Sequence, residues 1–414
     1  MHNLLESLPA WRATAEAAGS CAVATIVATE GSTPRPVGTS MLVSANGDVL
    51  GSLSGGCVEG AVVEAALDSL ADGRTRREYF GYSAEDAFAV GLTCGGGLDV
   101  HIQPYGHDAM ARLFQAAGRA AELAAAGNGV ALVRRLSDGG ARPGAAAGLL
   151  AVPNPLAVKT GDLAGGLAGL LGSGPGTGAG TGTGTGTGTG RDMGQRAAVH
   201  VQAMVRAGLT GVVTVAPETP EHDGASPALL VESLLPAPRL LVFGANDFGA
   251  ELLPGAQLLG YHVTICDARP VFAGQTRFLG AEEVAVEWPD RYLQREALAG
   301  RIDGRTVVCI LSHDPKFDVP LLATALDLDL AYVGAMGSRR SHQHRVEALL
   351  AAGMDPGSLE RLHSPIGLDL GAVSPAEVAV SILAEIVAAR RLPAHRKSLR
   401  NGVGAIHPAA LALA

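Results

Sequence analysis

Two cysteines in this sequence lie beside glycines, where a thiol could do chemistry. Cys57 follows Gly55 and Gly56 in GGCVEG, and the apolar periodicity of a helix begins at once. The partial positive charge and unpaired amides of a helix N-terminus favour a thiolate, so this sulfur could be a nucleophile or a soft metal ligand. The other interpretation of Cys57 is a small buried residue at a tight turn, because cysteine is among the most buried residue types.

Cys94 has similar surroundings in LTCGGGLDV, just before a strand. The backbone around Gly95 has the freedom to wrap a bound anion or a metal-bearing group, although a cluster of turn glycines is the more common explanation. Cys57 and Cys94 could share one ligand, but their separation along the chain does not show that they meet in space. Apolar strand runs contain the remaining cysteines, which predicts a place in the core for Cys21, Cys266 and Cys309.

The proline-restricted loop EGSTPRPVG is a candidate anion contact. It contains Ser32, Thr33 and Arg35, and a guanidinium group matches a phosphate with two parallel hydrogen bonds. A solvated turn is the alternative interpretation of this loop.

The fragment LLVFGANDFGAELL offers a strand, a glycine turn and a helix, as a dinucleotide-binding unit does. Gly244 and Gly249 match that pattern, but Asn246 stands where the middle glycine lets the backbone approach a pyrophosphate, and Pro254 falls inside the expected helix. Asp267 closes the next strand and would favour a ribose 2′-hydroxyl, hence NAD over NADP, unless it only caps the next turn. The fold is therefore supported better than the nucleotide.

Two later loops follow strands of the same predicted sheet, at the edge where ligands bind in open α/β sheets. The first is LSHDPKFDVP, and the second, GAMGSRR, begins a helix at a place suited to phosphate. Their candidate residues are His313, Asp314, Lys316 and Asp318 in the first loop, and Gly337, Ser338, Arg339 and Arg340 in the second.

The elements that position these groups differ between the two halves of the chain. From Arg239 onward, short β-rich runs (RLLVF, YHVTIC, EVAV, TVVCIL, LAYVG) alternate with helical segments, which predicts a Rossmann-like, doubly wound parallel α/β sheet. The N-terminal region combines strands, a hairpin turning at Asn46-Gly47 and a helix from about Cys57 to Leu70, which predicts a separate α/β (α+β) domain.

These patterns divide the chain into an N-terminal domain (1–106), a middle region (107–233), a Rossmann-like domain (234–395) and a tail (396–414). The middle region contains a Gly/Thr-rich stretch at about 139–194. Its backbone entropy and lack of large apolar side chains predict a flexible, disordered insertion.

Composition excludes several function classes. The 414 residues carry a net charge of −9, which repels nucleic acid and anionic membranes. The chain has no signal-peptide pattern and no apolar run long enough to span a membrane. We expect a soluble cytoplasmic protein with reduced thiols, and a homodimer is the ordinary expectation for a soluble oligomer.

The ordered set EGSTPRPVG, GGCVEG, TCGGG, HDPKFDVP, YVGAMGSRR, HSPIGLDLGA and SPAEVAVSILAEI resembles the XdhC/CoxI family of molybdoenzyme accessory proteins. The resemblance implies a maturation factor rather than a turnover enzyme. Such a factor binds molybdenum cofactor and protects it while a cysteine desulfurase installs its terminal sulfur. It then delivers the cofactor to an apo molybdenum hydroxylase subunit of the xanthine or carbon monoxide dehydrogenase type.

By this resemblance, the cysteine of the GGCVE motif is Cys57, which would contact molybdenum or hold sulfur, and the CGG cysteine is Cys94. Gly55, Gly56 and Glu59 of the first motif join the expected cofactor contacts. Arg339 or Arg340, with the Gly244 turn, would hold the phosphate end of the pterin arm, or a nucleotide or dinucleotide bound to the Rossmann-like region.

Two other functions remain open at the level of sequence. One is an NAD(P)-linked oxidoreductase that uses the His313 loop as acid or base. The other is a sulfur carrier that holds a persulfide on Cys57.

Overall fold

The computed structural model describes residues 2–31, 33–81, 96–136, 149–172, 187–215, 227–312 and 314–389. They form two compact units that divide between Pro236 and Ala237. Unit 1 denotes the described residues up to Pro236, and unit 2 denotes those from Ala237.

Unit 1 begins with a five-stranded antiparallel sheet of order β3-β2-β1-β5-β4. Its strands are β1 (Cys21–Glu30), β2 (Ser40–Ser44), β3 (Val49–Leu50), β4 (Arg76–Gly81) and β5 (Gly97–Tyr105). A short 3-10 helix (His2–Leu4) and helix α1 (Leu8–Ala18) precede the sheet, and helix α2 (Glu59–Asp72) packs against it. Alternate side chains of β1, such as Ala24 and Ile26, pack with Val62 of α2, because a strand directs successive side chains to opposite faces.

A second antiparallel sheet in unit 1 has the order β7-β6-β9-β8. Its strands are β6 (Val130–Leu136), β7 (Leu149–Pro153), β8 (Gly211–Thr214) and β9 (Ala228–Leu234), and its helices are α3 (His107–Ala125), α4 (Thr160–Gly172) and α5 (Thr187–Arg206). Leu132 of β6 shares one core with Val23 of β1 and Phe114 of α3. The segments before and after residue 106 therefore pack together in one compact unit rather than forming the separate N-terminal domain that the sequence suggested.

The predicted disorder at 139–194 is wrong for part of that stretch. Strand β7 and helix α4 lie in its middle, and α5 begins at Thr187; residues 137–148 and 173–186 lie outside the described residues. Leu163, Leu167 and Leu170 recur at helical spacing and are buried. The small residues, which favoured a linker interpretation, let α4 and α5 approach closely: a Cβ on Gly194 would lie 2.6 Å from the Ala164 carbonyl oxygen.

Unit 2 is a six-stranded parallel sheet of order β12-β11-β10-β13-β14-β15, which confirms the predicted doubly wound fold. The strands are β10 (Arg239–Phe243), β11 (His262–Cys266), β12 (Glu283–Ala285), β13 (Val307–Ile310), β14 (Tyr332–Ala335) and β15 (Leu362–His363). The order reverses between β10 and β13, so the loops after these two strands border the crevice where such sheets bind ligands.

Helices cover both faces of this sheet. They are α6 (Asp247–Leu258), α7 (Pro270–Ala273), a 3-10 helix (Thr276–Phe278), α8 (Pro289–Leu298), α9 (Pro315–Asp327), α10 (Arg339–Ala351), α11 (Pro356–Leu359) and α12 (Pro375–Ala389). Leu252 of α6 and Ile382 of α12 pack on one face, and Leu293 of α8 and Leu321 of α9 pack on the other. None of the helices in the described ranges is long and apolar enough to cross a membrane.

Candidate functional site

Cys57 lies on an exposed loop just before helix α2, which begins at Glu59 with Val58 as its N-cap. Its exposure excludes the interpretation as a small buried residue. The Cys57 amide donates to Ser54 Oγ at 2.9 Å, so the loop, and not the first helical turn, fixes the backbone at the thiol.

Glu59 organises this loop. Its carboxylate accepts from Ser52 Oγ and Ser54 Oγ, both at 2.6 Å, and from the amides of Leu53, Ser54, Gly55 and Gly56 at 2.8–3.0 Å. Burial alone would raise the pKa of Glu59, but the Ser52 and Ser54 donors hold that pKa far below its usual range. Because these donors occupy both oxygens, Glu59 is a positioning residue and not the cofactor contact that the motif suggested.

Gly55 and Gly56 have φ values of +89° and +123°, a region that favours glycine. Their amides point at Glu59, so they do not form the outward-facing cradle expected for a cofactor. The loop therefore exposes a thiol, while the Glu59 carboxylate accepts the hydrogen bonds of its amide groups.

The three cysteines predicted for the core are buried, in contrast to Cys57. Burial raises the pKa of the Cys21 thiol to about 12 and also raises the pKa values of Cys266 and Cys309. These three thiols are protonated at neutral pH. Among the cysteines of the described residues, Cys57 is the exposed one.

The EGSTPRPVG loop keeps Arg35 exposed, and Arg35 has no side-chain partner within the described ranges. Thr33 Oγ1 donates to the Arg35 carbonyl oxygen at 3.3 Å, and Gly38, at φ +91°, packs where a Cβ would lie 2.5 Å from Thr210 Cγ2. Ser32, Cys94 and Gly95 lie outside the described residues, so the predicted meeting of Cys57 and Cys94 stays a prediction.

In unit 2, Asn246 takes over the place of the middle glycine. It caps helix α6: its Oδ1 accepts from the Gly249 amide at 3.0 Å, and its Nδ2 donates to the Leu311 carbonyl at 2.8 Å. Gly244 has φ +113°, and a Cβ there would lie 2.9 Å from the Ser312 amide nitrogen. The turn after β10 and the end of β13 are thus in contact. Asn246 forms hydrogen bonds to both segments, and its side chain occupies the place where a glycine would leave the backbone open to a pyrophosphate.

Asp267 is also occupied. Its carboxylate accepts from the Ala245 amide at 2.9 Å and from the Arg269 amide, Nε and Nη2 at 2.8–2.9 Å. Burial alone would raise the pKa of Asp267, but the Arg269 hydrogen bonds lower it overall. The carboxylate that was expected to bind a ribose diol binds Arg269 instead.

Asp318 links the loops after β13 and β14. It is 1% exposed, accepts from Ser312 Oγ, and pairs with Arg345 Nη2 at 2.8 Å. Arg345 also donates to the Met336 carbonyl at 2.6 Å. Asp318 is therefore a structural link rather than the predicted ligand contact. Sequence reasoning missed Arg345, because a lone arginine within a polar helix gives no sign of burial.

Other predicted groups of this edge stay at the surface. Asp314 caps α9, accepting from the Lys316 amide at 3.1 Å, and Lys316 Nζ lies 3.6 Å from it. Ser338 and Ser341 form a capping box at the start of α10, after Gly337 at φ +151°. The side chains of Arg339 and Arg340 are exposed and make no ion pair with described residues, whereas His313 lies outside those residues.

Comparison with known proteins places these features in a family. One family model, the XdhC Rossmann domain, matches residues 240–386, and another, the XdhC and CoxI family, matches residues 14–81. A probable xanthine dehydrogenase subunit from Bacillus subtilis (strain 168) is 25% identical over 372 residues, 89% of this chain and 93% of its own. Molybdenum cofactor insertion chaperone PaoD of Escherichia coli (strain K12) is 23% identical over 366 residues, 88% of this chain and 82% of its own.

A solved structure has the same fold. It is described as a xanthine dehydrogenase from Bacillus halodurans, with a TM-score of 0.54 and 24% identity over 96% of this chain and 97% of that chain. With one family model on the Cys57 region and the other on the parallel sheet, the chain belongs to the XdhC/CoxI family, and unit 2 is its Rossmann domain.

Proposed function

We propose that this protein is a maturation factor that binds molybdenum cofactor and delivers it to an apo molybdenum hydroxylase subunit. The observation that carries the proposal is the exposed Cys57 thiol on a loop whose amide groups are already used by Glu59. The relatives named as a probable dehydrogenase subunit and as a cofactor insertion chaperone support it.

The chemistry of the loop fits this cargo. Molybdenum and its dithiolene are soft, and a thiolate is a soft ligand. Ser54 donates to Glu59 Oε2 and accepts from the Cys57 amide, so the backbone that carries the thiol is fixed before the cargo arrives. Cys57 would bind the metal or its terminal sulfur while a cysteine desulfurase acts on the cofactor.

The phosphate end of the cargo needs cationic donors. Arg35, in the same unit as Cys57, is exposed, and its guanidinium group suits a phosphate. We assign phosphate binding to the Arg35 side chain and not to the loop amides around Gly55.

Co-purification tests the proposal. The protein is isolated from a host that makes molybdenum cofactor, and molybdenum and pterin are quantified per chain for wild type, Cys57→Ser and the exposed control Arg119→Gln. We expect Cys57→Ser to retain at most about a tenth of the wild-type cofactor, since it loses its soft ligand. It should also fail to activate an apo molybdenum hydroxylase. Equal retention and activation by Cys57→Ser would contradict the proposal.

The exposed thiol also supports a second candidate, a persulfide carrier without lasting cofactor binding. Incubation with a desulfurase followed by intact-mass measurement separates the two functions. One added sulfur on Cys57 without retained pterin would favour the carrier. The NAD-linked oxidoreductase loses support, because Asn246 and Asp267 are both engaged within the fold.

A further inference from the structure

Buried polar side chains lie between the two sheets of unit 1, and the functions above do not use them. Arg134 of β6 and Glu232 of β9 are both 0% exposed. Leu132 is the strand partner of Glu232, so Glu232 and Arg134 project from the same face of the four-stranded sheet. The Arg134 side chain reaches Thr25 on β1 of the five-stranded sheet, which is also 0% exposed. A charge that is removed from water in this way needs polar partners inside the fold.

The Arg134 guanidinium group is directed at the five-stranded sheet. Its Nη2 donates to Thr25 Oγ1 at 2.6 Å, whereas Nε and Nη1 have no hydrogen-bond partner among the described residues. Burial raises the pKa of Tyr105 on β5, and the Arg134 charge opposes this effect, so the guanidinium also lies close to the Tyr105 hydroxyl. The hydrogen bond to Thr25 therefore links the buried charge of one sheet to a hydroxyl group of the other.

A chain of hydrogen bonds continues from Thr25 to the loop that carries Arg35. Thr25 Oγ1 and Ser40 Oγ are 2.9 Å apart, and Ser40 Oγ donates to the Gly38 carbonyl oxygen at 3.2 Å. Because Ser40 uses its hydroxyl hydrogen on Gly38, Thr25 is the donor to Ser40. The bonds therefore run in one direction, from the Arg134 charge through two hydroxyl groups to a backbone carbonyl, and each bond polarises the next.

Gly38 is the residue at which this loop returns to β2. We call residues 33–38 the Arg35 loop. The Gly38 amide donates to the Ile26 carbonyl oxygen at 2.9 Å, and the Thr39 amide donates to the Pro36 carbonyl oxygen at 3.2 Å, which closes the turn after Arg35. The hydrogen-bond chain from the other sheet holds the remaining polar group of Gly38, its carbonyl.

We propose that Arg134 is a positioning residue that acts through two buried hydroxyl groups on the Arg35 loop. It holds the loop in the conformation in which the exposed Arg35 side chain meets phosphate. Movement of the loop would leave buried donors of the chain without their acceptors, which makes that conformation the favoured one. The inference deepens the proposed function, on which it rests for the phosphate ligand.

Hydrogen exchange of the full-length protein without ligand tests the positioning step. Ser40→Ala removes the hydroxyl link but keeps the backbone in place, because the Asn3 side chain bonds the Ser40 amide and carbonyl, each at 2.9 Å. We expect the Gly38 and Thr39 amides to exchange about threefold to tenfold faster than in wild type, the weight of one net hydrogen bond. Arg134→Met, which lacks a donor, should raise the same rates, and the double variant should raise them no further.

The matched control for lost stability is Val133→Ala. Val133 is 0% exposed and shares a core cluster with Leu163 and Leu167 of α4. Its side chain lies on the face of β6 opposite to that of Arg134, because successive residues of a strand alternate. We expect Val133→Ala to speed exchange in α4 and to leave the Gly38 amide unchanged, whereas Ser40→Ala should do the reverse.

Cofactor retention in co-purification tests the purpose of this positioning. Arg35→Gln should lower the pterin content per chain by about tenfold, since a hydrogen bond to a charged group is lost. Ser40→Ala should lower it as well, and Arg35→Gln combined with Ser40→Ala should retain as much pterin as Arg35→Gln alone. Val133→Ala should retain the wild-type amount.

Unchanged exchange at Gly38 in both Ser40→Ala and Arg134→Met would overturn the inference, whatever the cofactor content. Additive losses of pterin in the double variant would overturn it too, because the two residues would then act separately. Faster loop exchange together with full retention by Arg35→Gln would instead refute phosphate binding by Arg35, which belongs to the proposed function, and would confirm the positioning itself.

Discussion

Glu59 concentrates the hydrogen bonds of the Cys57 loop in one carboxylate. Replacing it with glutamine removes the charge and turns one acceptor into a donor that faces amides and hydroxyl groups. We expect Glu59→Gln to lower the free energy of unfolding by about 1–3 kcal/mol, because two serine hydroxyl groups and four amides, part-buried or exposed, lose a charged acceptor. Urea denaturation measures this change.

The matched control is Glu64→Gln, at an exposed position of the same helix, which should change stability by less than about 0.5 kcal/mol. An equal loss in both variants would show that Glu59 has no special role in the loop.

At the residue scale, the sequence indicated that Cys57 lies on a special loop, but it did not indicate the hydrogen-bonding role of the residues beside it. Glycines before Cys57 predicted a special backbone, and their positive φ values agree. The same pattern could not show that Glu59 accepts from both serines and four amides, because a motif does not reveal which way a side chain turns. Asp267 and Asp318 were assigned to ligands for the same reason, although their partners Arg269 and Arg345 belong to the fold.

Helix α12 is tied to the sheet edge by Glu385. Its carboxylate accepts from Tyr332 Oη at 2.6 Å and from the Gly367 amide at 2.8 Å, and it lies 3.3 Å from His363 Nδ1. Burial alone would raise the pKa of Glu385, but hydrogen bonds from His363 and Tyr332 lower it from 4.5 to about 2. Its stabilisation is therefore complete above pH 4.5 and is lost as the pH falls toward 2.

We expect the wild type to lose stability over this acidic window more steeply than Glu385→Gln does. Thermal unfolding at a series of pH values from neutral to acidic measures the difference. Parallel pH profiles for the two proteins would refute the role of Glu385.

Glycines of the α4–α5 pair differ in what an added methyl group would meet. Gly165 has open space, whereas Gly194 faces the α4 backbone at Ala164. We expect Gly165→Ala to stabilise the protein by about 0.5–1 kcal/mol through helix propensity, and Gly194→Ala to destabilise it by forcing the helices apart. Denaturant midpoints of the two variants check the opposite signs.

At the element scale, continuous apolar runs predicted the parallel sheet, since strands buried on both faces carry that pattern. The sequence did not predict helices α4 and α5, because a segment rich in glycine and alanine has the composition of a linker. Its small residues acquire a structural role only where the two helix backbones pack closely. Strand β15, with two residues, is too short for any periodicity.

Each unit has its own apolar clusters. We expect two unfolding transitions by calorimetry, with Ile382→Ala lowering the transition of unit 2 and Leu167→Ala lowering that of unit 1. Both side chains are fully buried, so each loss should be about 2–5 kcal/mol. A shift of both transitions by either variant would show that the units unfold together.

The exposed thiol of Cys57 also affects how the isolated protein behaves in air. The other cysteines in the described part of the chain are sealed in the interior, so dissolved oxygen meets this sulfur first. Two copies linked through it would migrate as a covalent pair on a non-reducing gel. The size of the native particle should therefore be measured with a reductant present, to separate such crosslinks from genuine association.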